Sequence, residues 1–142
     1  MALERQDRTL GQSLVEFALI VPVFLLLCMG ALDLGRVYFA HVALVGAVEQ
    51  GVRTAAFTPL ATPAQVVAAV VAEPQTTLVL QPANVSVTYY RGSVGTPCDG
   101  PKSGCTVTVT ATTPFTLVTP LMATVAGSDT ITLSARASMV VQ

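Results

Sequence analysis

The residues able to do chemistry are few, so their placement is informative. The chain of 142 residues holds one His, three Cys and no Trp. Cys98 and Cys105 bracket the loop Asp99-Gly100-Pro101-Lys102-Ser103-Gly104, whose Asp, Gly and Pro read as an exposed hairpin loop between two strands. Thiols at that spacing point to a disulfide closed outside the cytoplasm. A zinc site is disfavoured, because there is no second ligand pair and His41 lies far away in the sequence. There is no C-x-x-C redox motif. Between Phe57 and Gln142 the charged groups are Glu73, Arg91, Asp99, Lys102, Asp129 and Arg136, with no acid–base pair evident. We therefore expect no catalytic residue, no metal and no cofactor.

A second kind of chemistry sits near the N-terminus. Glu16 stands at the leading edge of an apolar run, and Phe17 to Leu32 carry no charge. With Leu14 and Val15 the run approaches the ~20 residues that cross a bilayer as a helix. A carboxylate in an apolar layer costs a few kcal/mol unless it is paired. One local use of Glu16 is a capping box with Ser13 at a helix start. Cys28, inside the run, reads as a small buried filler rather than a reactive thiol.

The elements that position these groups follow from pattern. The polar head MALERQDRTLG is neutral, the run is too long for a signal-peptide core, and ALDLGR follows it in place of an A-x-A-like site. A cleaved secretory signal fits poorly. From Leu34 to Ala56 there is no Pro, and Glu49 precedes Arg53 by four residues, the favoured order for a helical ion pair. The spacing predicts one helix from about Ser13 to about Ala56, about 65 Å at 1.5 Å per residue. Pro22 lies inside it, where it removes a backbone bond and should bend the helix. Ala31, Gly35, Ala43, Ala47, Gly51 and Ala55 form a ridge of small residues at four-residue spacing, interrupted by Phe39. Such ridges let helices approach closely. Ala47 to Ala55 are read as packing on the chain's own globular part, and Ala31 and Gly35 as facing other subunits or membrane partners.

The string Gly11-Gln12-Ser13-Leu14-Val15-Glu16-Phe17 resembles the processing site of type IV pilin-like proteins. Its continuation, Glu16-Phe17-Ala18-Leu19-x-x-Pro22 with Gly30 and Gly35-Arg36, is similar to the TadE-like family, minor pilins (pseudopilins) of the tight-adherence (Tad) pilus. The similarity covers residues 10 to 56. It implies cleavage by a prepilin peptidase between Gly11 and Gln12, with residues 1–11 as leader. It implies an inner-membrane, single-pass intermediate with residues 14–32 in the bilayer, the leader inside and residues 57–142 outside, followed by incorporation into a surface pilus. Glu16 would become the fifth residue of the mature chain and pair with an N-terminal amine, often a neighbour's, with Phe17 and Pro22 in the same assembly segment. The implied partners are other pilin subunits met through the N-terminal helix, the peptidase, the Tad assembly platform and, before assembly, the membrane.

The remainder predicts a small α+β domain. Thr62-Pro63-Ala64-Gln65 reads as a helix start, and AQVVAAVVA, apolar nearly all round, should end before Pro74 and pack on a sheet. Thr76 to Gln81 is a candidate strand. Val85, Val87 and Tyr89 alternate with polar or amphipathic neighbours, as do Val107, Val109 and Ala111, and then Ile131 through Val141. Period-two alternation argues for an antiparallel sheet buried on one face. Thr119-Pro120 and Gly127 frame a short helix over 120–126. The fold class is thus a long N-terminal membrane-spanning and amphipathic helix followed by a small antiparallel sheet with a short covering helix.

Composition bounds the function. Charged residues are 11% and the hydrophobic set is 52%, which argues against a disordered chain. Seven Lys and Arg spread along the chain make no basic stripe for nucleic acid. Asp33 and Arg36 are expected to pair with each other or with a neighbouring helix near the bilayer's outer edge, and His41 reads as a helix residue near the membrane surface. Asn84-Val85-Ser86 matches a glycosylation triplet that carries little weight in a prokaryote, to which the processing string points. Two readings remain: a structural subunit of a pilus, and a single-pass anchored external binding or adhesion module that never enters a filament.

Overall fold

The structure is a computed structural model that describes residues 4–58, 60–73, 78–91 and 95–142, and for residues 4–10 and Leu121 the backbone alone. Helix α1 runs from Glu4 to Phe57 with Pro22 inside it. It begins upstream of the expected start at Ser13, since the polar head continues the helix rather than breaking it. The chain divides into two compact units. One joins α1 up to Gly35 with Leu117–Asp129, and the other joins Arg36–Thr116 with Thr130–Gln142.

The second unit contains the sheet. Strands β1 (Val85–Arg91), β2 (Thr96–Pro97), β3 (Cys105–Thr116) and β4 (Thr130–Val140) are ordered β2-β1-β3-β4, with every pairing antiparallel. The register sets Val87 against Val109 and Val109 against Ala137, so apolar residues meet on one face. Thr130, Thr132, Ser134, Arg136 and Ser138 of β4 are exposed, while Leu133 and Ala135 are buried, as the alternation predicts. Helix α2 (Pro63–Ala72) starts as its sequence specifies: Thr62 Oγ1 accepts from the Gln65 amide at 3.3 Å, and Gln65 Oε1 accepts from the Thr62 amide at 2.9 Å. Val66 and Val70 of α2 are fully buried. So are Ala40, Leu44, Ala47, Val48 and Ala55 of α1, whose spacing makes one continuous stripe.

The closest approach in this core explains one residue type. A Cβ on Gly51 would collide with Cγ2 of Val70 and would lie 3.6 Å from Val109 and 3.7 Å from Val66. Any side chain there would push α2 away from α1. Ala47 to Ala55 therefore pack on the chain's own domain, as their small size implied.

Two expectations change. Leu78 to Gln81 have no strand pairing, although Leu78 and Leu80 are buried and Val79 is exposed. The in–out alternation is present, and a partner strand is not; residues 74–77 lie outside the described residues. Secondly, the Cys98–Cys105 loop is not a hairpin between paired strands. It carries the chain from β2 to β3, which lie on opposite sides of β1. Cys98 and Cys105 form the disulfide, with their Cα atoms 6.6 Å apart. Cys105 is fully buried, whereas Asp99, Lys102 and Ser103 are exposed. Tyr89 is buried with its hydroxyl lacking a hydrogen-bond partner among the described residues, and that burial pushes its pKa above the ordinary tyrosine value.

In the first unit, α3 (Pro120–Ala126) matches the span framed by Thr119-Pro120 and Gly127, and Gly127 takes the left-handed conformation, φ 73°, that ends it. The Leu117 amide donates to the Asp129 carbonyl at 2.8 Å and closes the segment on itself.

Candidate functional site

The singled-out residues at the head of α1 lie along one exposed stretch. Gly11 is helical, and a Cβ on it would meet nothing within 4 Å. A glycine in a helix interior costs roughly 0.5–1 kcal/mol relative to alanine. Among the described residues nothing gives a reason for Gly11, whereas Val70 does for Gly51. Gln12 Nε2 donates to Glu16 Oε1 at 3.3 Å, one helical turn away. In the intact chain Ser13 lies well inside α1, so the helix does not start there and the capping-box role of Ser13 and Glu16 has no helix start to serve.

The apolar side chains that follow face outward. Leu14, Phe17, Leu19, Ile20, Phe24 and Leu27 are each more than half exposed. Pro22 and Ala31 are exposed, and Gly35 is half-buried with nothing within 4 Å of a Cβ. Cys28 is an exposed free thiol, not a buried filler: its neighbours on the run are exposed too. By length and composition, Gly11–Phe57 is the one helix among the described residues able to cross a membrane. It fits a single-pass membrane anchor.

At the end of this run Asp33 is almost completely buried. Its carboxylate accepts hydrogen bonds from the Val118 amide at 3.1 Å, the Thr119 amide at 2.8 Å and the Thr119 hydroxyl. These partners are far away in sequence, and no local pattern announced them. Arg36, in the second unit, stacks its guanidinium over the Phe115 ring, 5.2 Å from the centroid.

No chemistry of bond-making emerges from the rest. Among the described residues no group of three or more His, Cys, Asp or Glu is placed to hold a metal ion. A shallow cleft of about 390 Å³ between the end of α1 and the C-terminal residues is lined by Ala56, Phe57, Leu60, Pro101 and Val141, none of them titratable.

No curated protein and no solved structure is significantly similar to the chain. Residues 11–53 match the model of the TadE-like protein family, a structural family of the Tad pilus system. That match covers less than a third of the 142 residues, and it falls on α1, from the glycine before the apolar run to the buried stripe. Over this helix, with its membrane-length exposed run and the small α+β sheet domain behind it, the chain is similar to the TadE-like proteins of the Tad pilus system.

Proposed function

We propose that this protein is a minor pilin of the Tad pilus, cut by a prepilin peptidase after Gly11 and built into the fibre through α1. The observation that carries the reading is the exposed apolar surface from Leu14 to Leu32 behind a glycine that the fold does not need. That surface is costly in water and is relieved by lipid before assembly and by neighbouring helices afterwards. The leader stays inside and the disulfide-bearing sheet faces out.

Glu16 has the assembly role. Once the chain begins at Gln12, the new amine lies one helical turn from the Glu16 carboxylate of its own subunit, and pairing across subunits joins it to a neighbour's. Pairing removes the cost of a lone carboxylate in an apolar layer. Phe17 and the surface around Pro22 pack on the neighbour, and Ala31 and Gly35 let its helix approach closely. The open space at Gly35 supports this use, because none of the described residues comes within 4 Å of a Cβ there. Partners on this route are the peptidase, the Tad assembly platform and other pilin subunits.

The test is Gly11→Leu expressed with the Tad machinery. The helix tolerates the side chain, so a defect reads on processing rather than on folding. We expect a full-length precursor held in the membrane fraction and no subunit in sheared fibres. A Leu variant still trimmed at Gln12 contradicts the processing step. Wild-type protein that keeps its head and stays in the membrane supports an anchored external module in place of a pilin.

A further inference from the structure

The segment Leu117–Asp129 is fixed against the last turn of the apolar run. A Cβ on Gly30 would lie 3.8 Å from Met122 Sδ. One turn further on, Asp33 holds the Val118 and Thr119 amides and the Thr119 hydroxyl. Leu117 to Ser128 carry no charge. Val118 and Val125 are 69% and 76% exposed. Both threonine hydroxyls of the segment are bonded within the chain: the Thr119 hydroxyl goes to Asp33, and Thr124 Oγ1 donates to the Pro120 carbonyl at 2.8 Å.

Depth follows from this contact. A helix needs about 20 apolar residues to cross the hydrocarbon layer. A span that starts near Leu14 therefore reaches the far acyl–headgroup boundary around Met29 to Leu32. Whatever is packed on Gly30 lies at that same depth. We propose that residues 117–128 form a second membrane contact, with α3 resting in the acyl–headgroup boundary beside α1 and Val118 and Val125 turned to phospholipid. Asp33 is the positioning residue, since its three accepted hydrogen bonds keep the segment on α1. Lipid is the occupant because the surface continues the exposed apolar side chains Leu26, Leu27 and Leu34 of α1 and brings no charge to it. The proposal rests on the membrane-spanning reading of α1.

The chain has no Trp, so single reporters are clean. Full-length protein carrying Val125→Trp, Val118→Trp, Leu19→Trp or Thr132→Trp is reconstituted in phosphatidylcholine–phosphatidylglycerol vesicles. Emission is then quenched by lipids brominated high or low on the acyl chain and by aqueous iodide. We expect Val125→Trp and Val118→Trp to lose emission about twofold or more to the shallow bromolipid and little to iodide. Leu19→Trp should respond to the deep bromolipid, and Thr132→Trp, on the exposed face of β4, to iodide alone. If Leu19→Trp responds to lipid while both valine-site reporters respond only to iodide, the segment stands in water and this proposal fails, with the span intact. Valine-site reporters shielded from both quenchers mean that protein covers the face, a second copy for instance, which also overturns it. A Leu19→Trp reporter deaf to lipid overturns the span and the proposal together.

Discussion

The Asp33 carboxylate of α1 takes hydrogen bonds from both the amide and the hydroxyl of Thr119, 86 residues further along the chain. Thr119 is the N-cap of α3 by position, yet its hydroxyl caps no amide of that helix. Asp33 places its negative charge against the start of α3 instead, where the helix dipole favours an anion. A charge at the end of an apolar run is thereby matched by three donors from a distant segment.

Asp33→Ala should strand the Val118 and Thr119 amides, at a cost of about 2–3 kcal/mol for hydrogen bonds to a charged group. The loss should be local. Amide hydrogen exchange in detergent should quicken at Val118 and Thr119 and stay slow in β1 and β3, with Asp33→Asn in between. Unchanged protection at Thr119 in the Ala variant contradicts the link.

Legibility in the sequence tracked the range of the interaction. Strands β1, β3 and β4 followed from two-residue alternation, and α2 from Thr62 and Gln65, because one short window holds the whole signal. The two-residue β2 has no period to read. Leu78 and Leu80 alternate with Val79 as strand residues do, but pairing depends on a partner that the window does not contain. The sequence offered Arg36 as a partner for Asp33, three residues away. It could not offer Thr119, whose nearness is a product of tertiary folding. At the candidate site, the apolar run is legible because its length along one helix defines it, whereas Gly11 and Glu16 are singled out by the resemblance of their string to pilin-like processing sites and their roles are proposals.

Gly51→Ala should destabilise the sheet-bearing unit. The added methyl meets Val70, a fully buried and β-branched residue with little rotamer freedom. Overpacking of this kind costs typically about 1–3 kcal/mol, and the better helix propensity of Ala returns about 1 at most. Gly46→Ala, with nothing within 4 Å, should be neutral or stabilising. Thermal melts of both variants in detergent check this; equal melting temperatures contradict the close approach.

Thiol labelling under denaturing, non-reducing conditions should find one reactive cysteine, Cys28, rising to three after reduction. Replacing Cys98 and Cys105 together by Ala should lower stability by about 2.5 kcal/mol from loop closure alone, leaving the sheet folded. Three thiols labelled before reduction contradict the bridge.

On the proposed processing, Glu16→Ala should be cut normally, because the peptidase would read the backbone at Gly11 and not the Glu16 side chain. Its incorporation into fibres should fall about tenfold or more, since the pairing it removes offsets a carboxylate cost of a few kcal/mol. Quantified subunit in sheared fibres against membrane pools checks this. Wild-type incorporation leaves Glu16 no role in assembly.

The N-terminus of protein recovered from sheared, purified Tad fibres tests the proposed cleavage and incorporation most directly. Intact-mass and N-terminal peptide analysis should give a chain beginning at Gln12, with residues 1–11 absent and Glu16 in fifth place. Recovery of the subunit only from membranes, with its head intact, would contradict both the cleavage after Gly11 and the incorporation through α1.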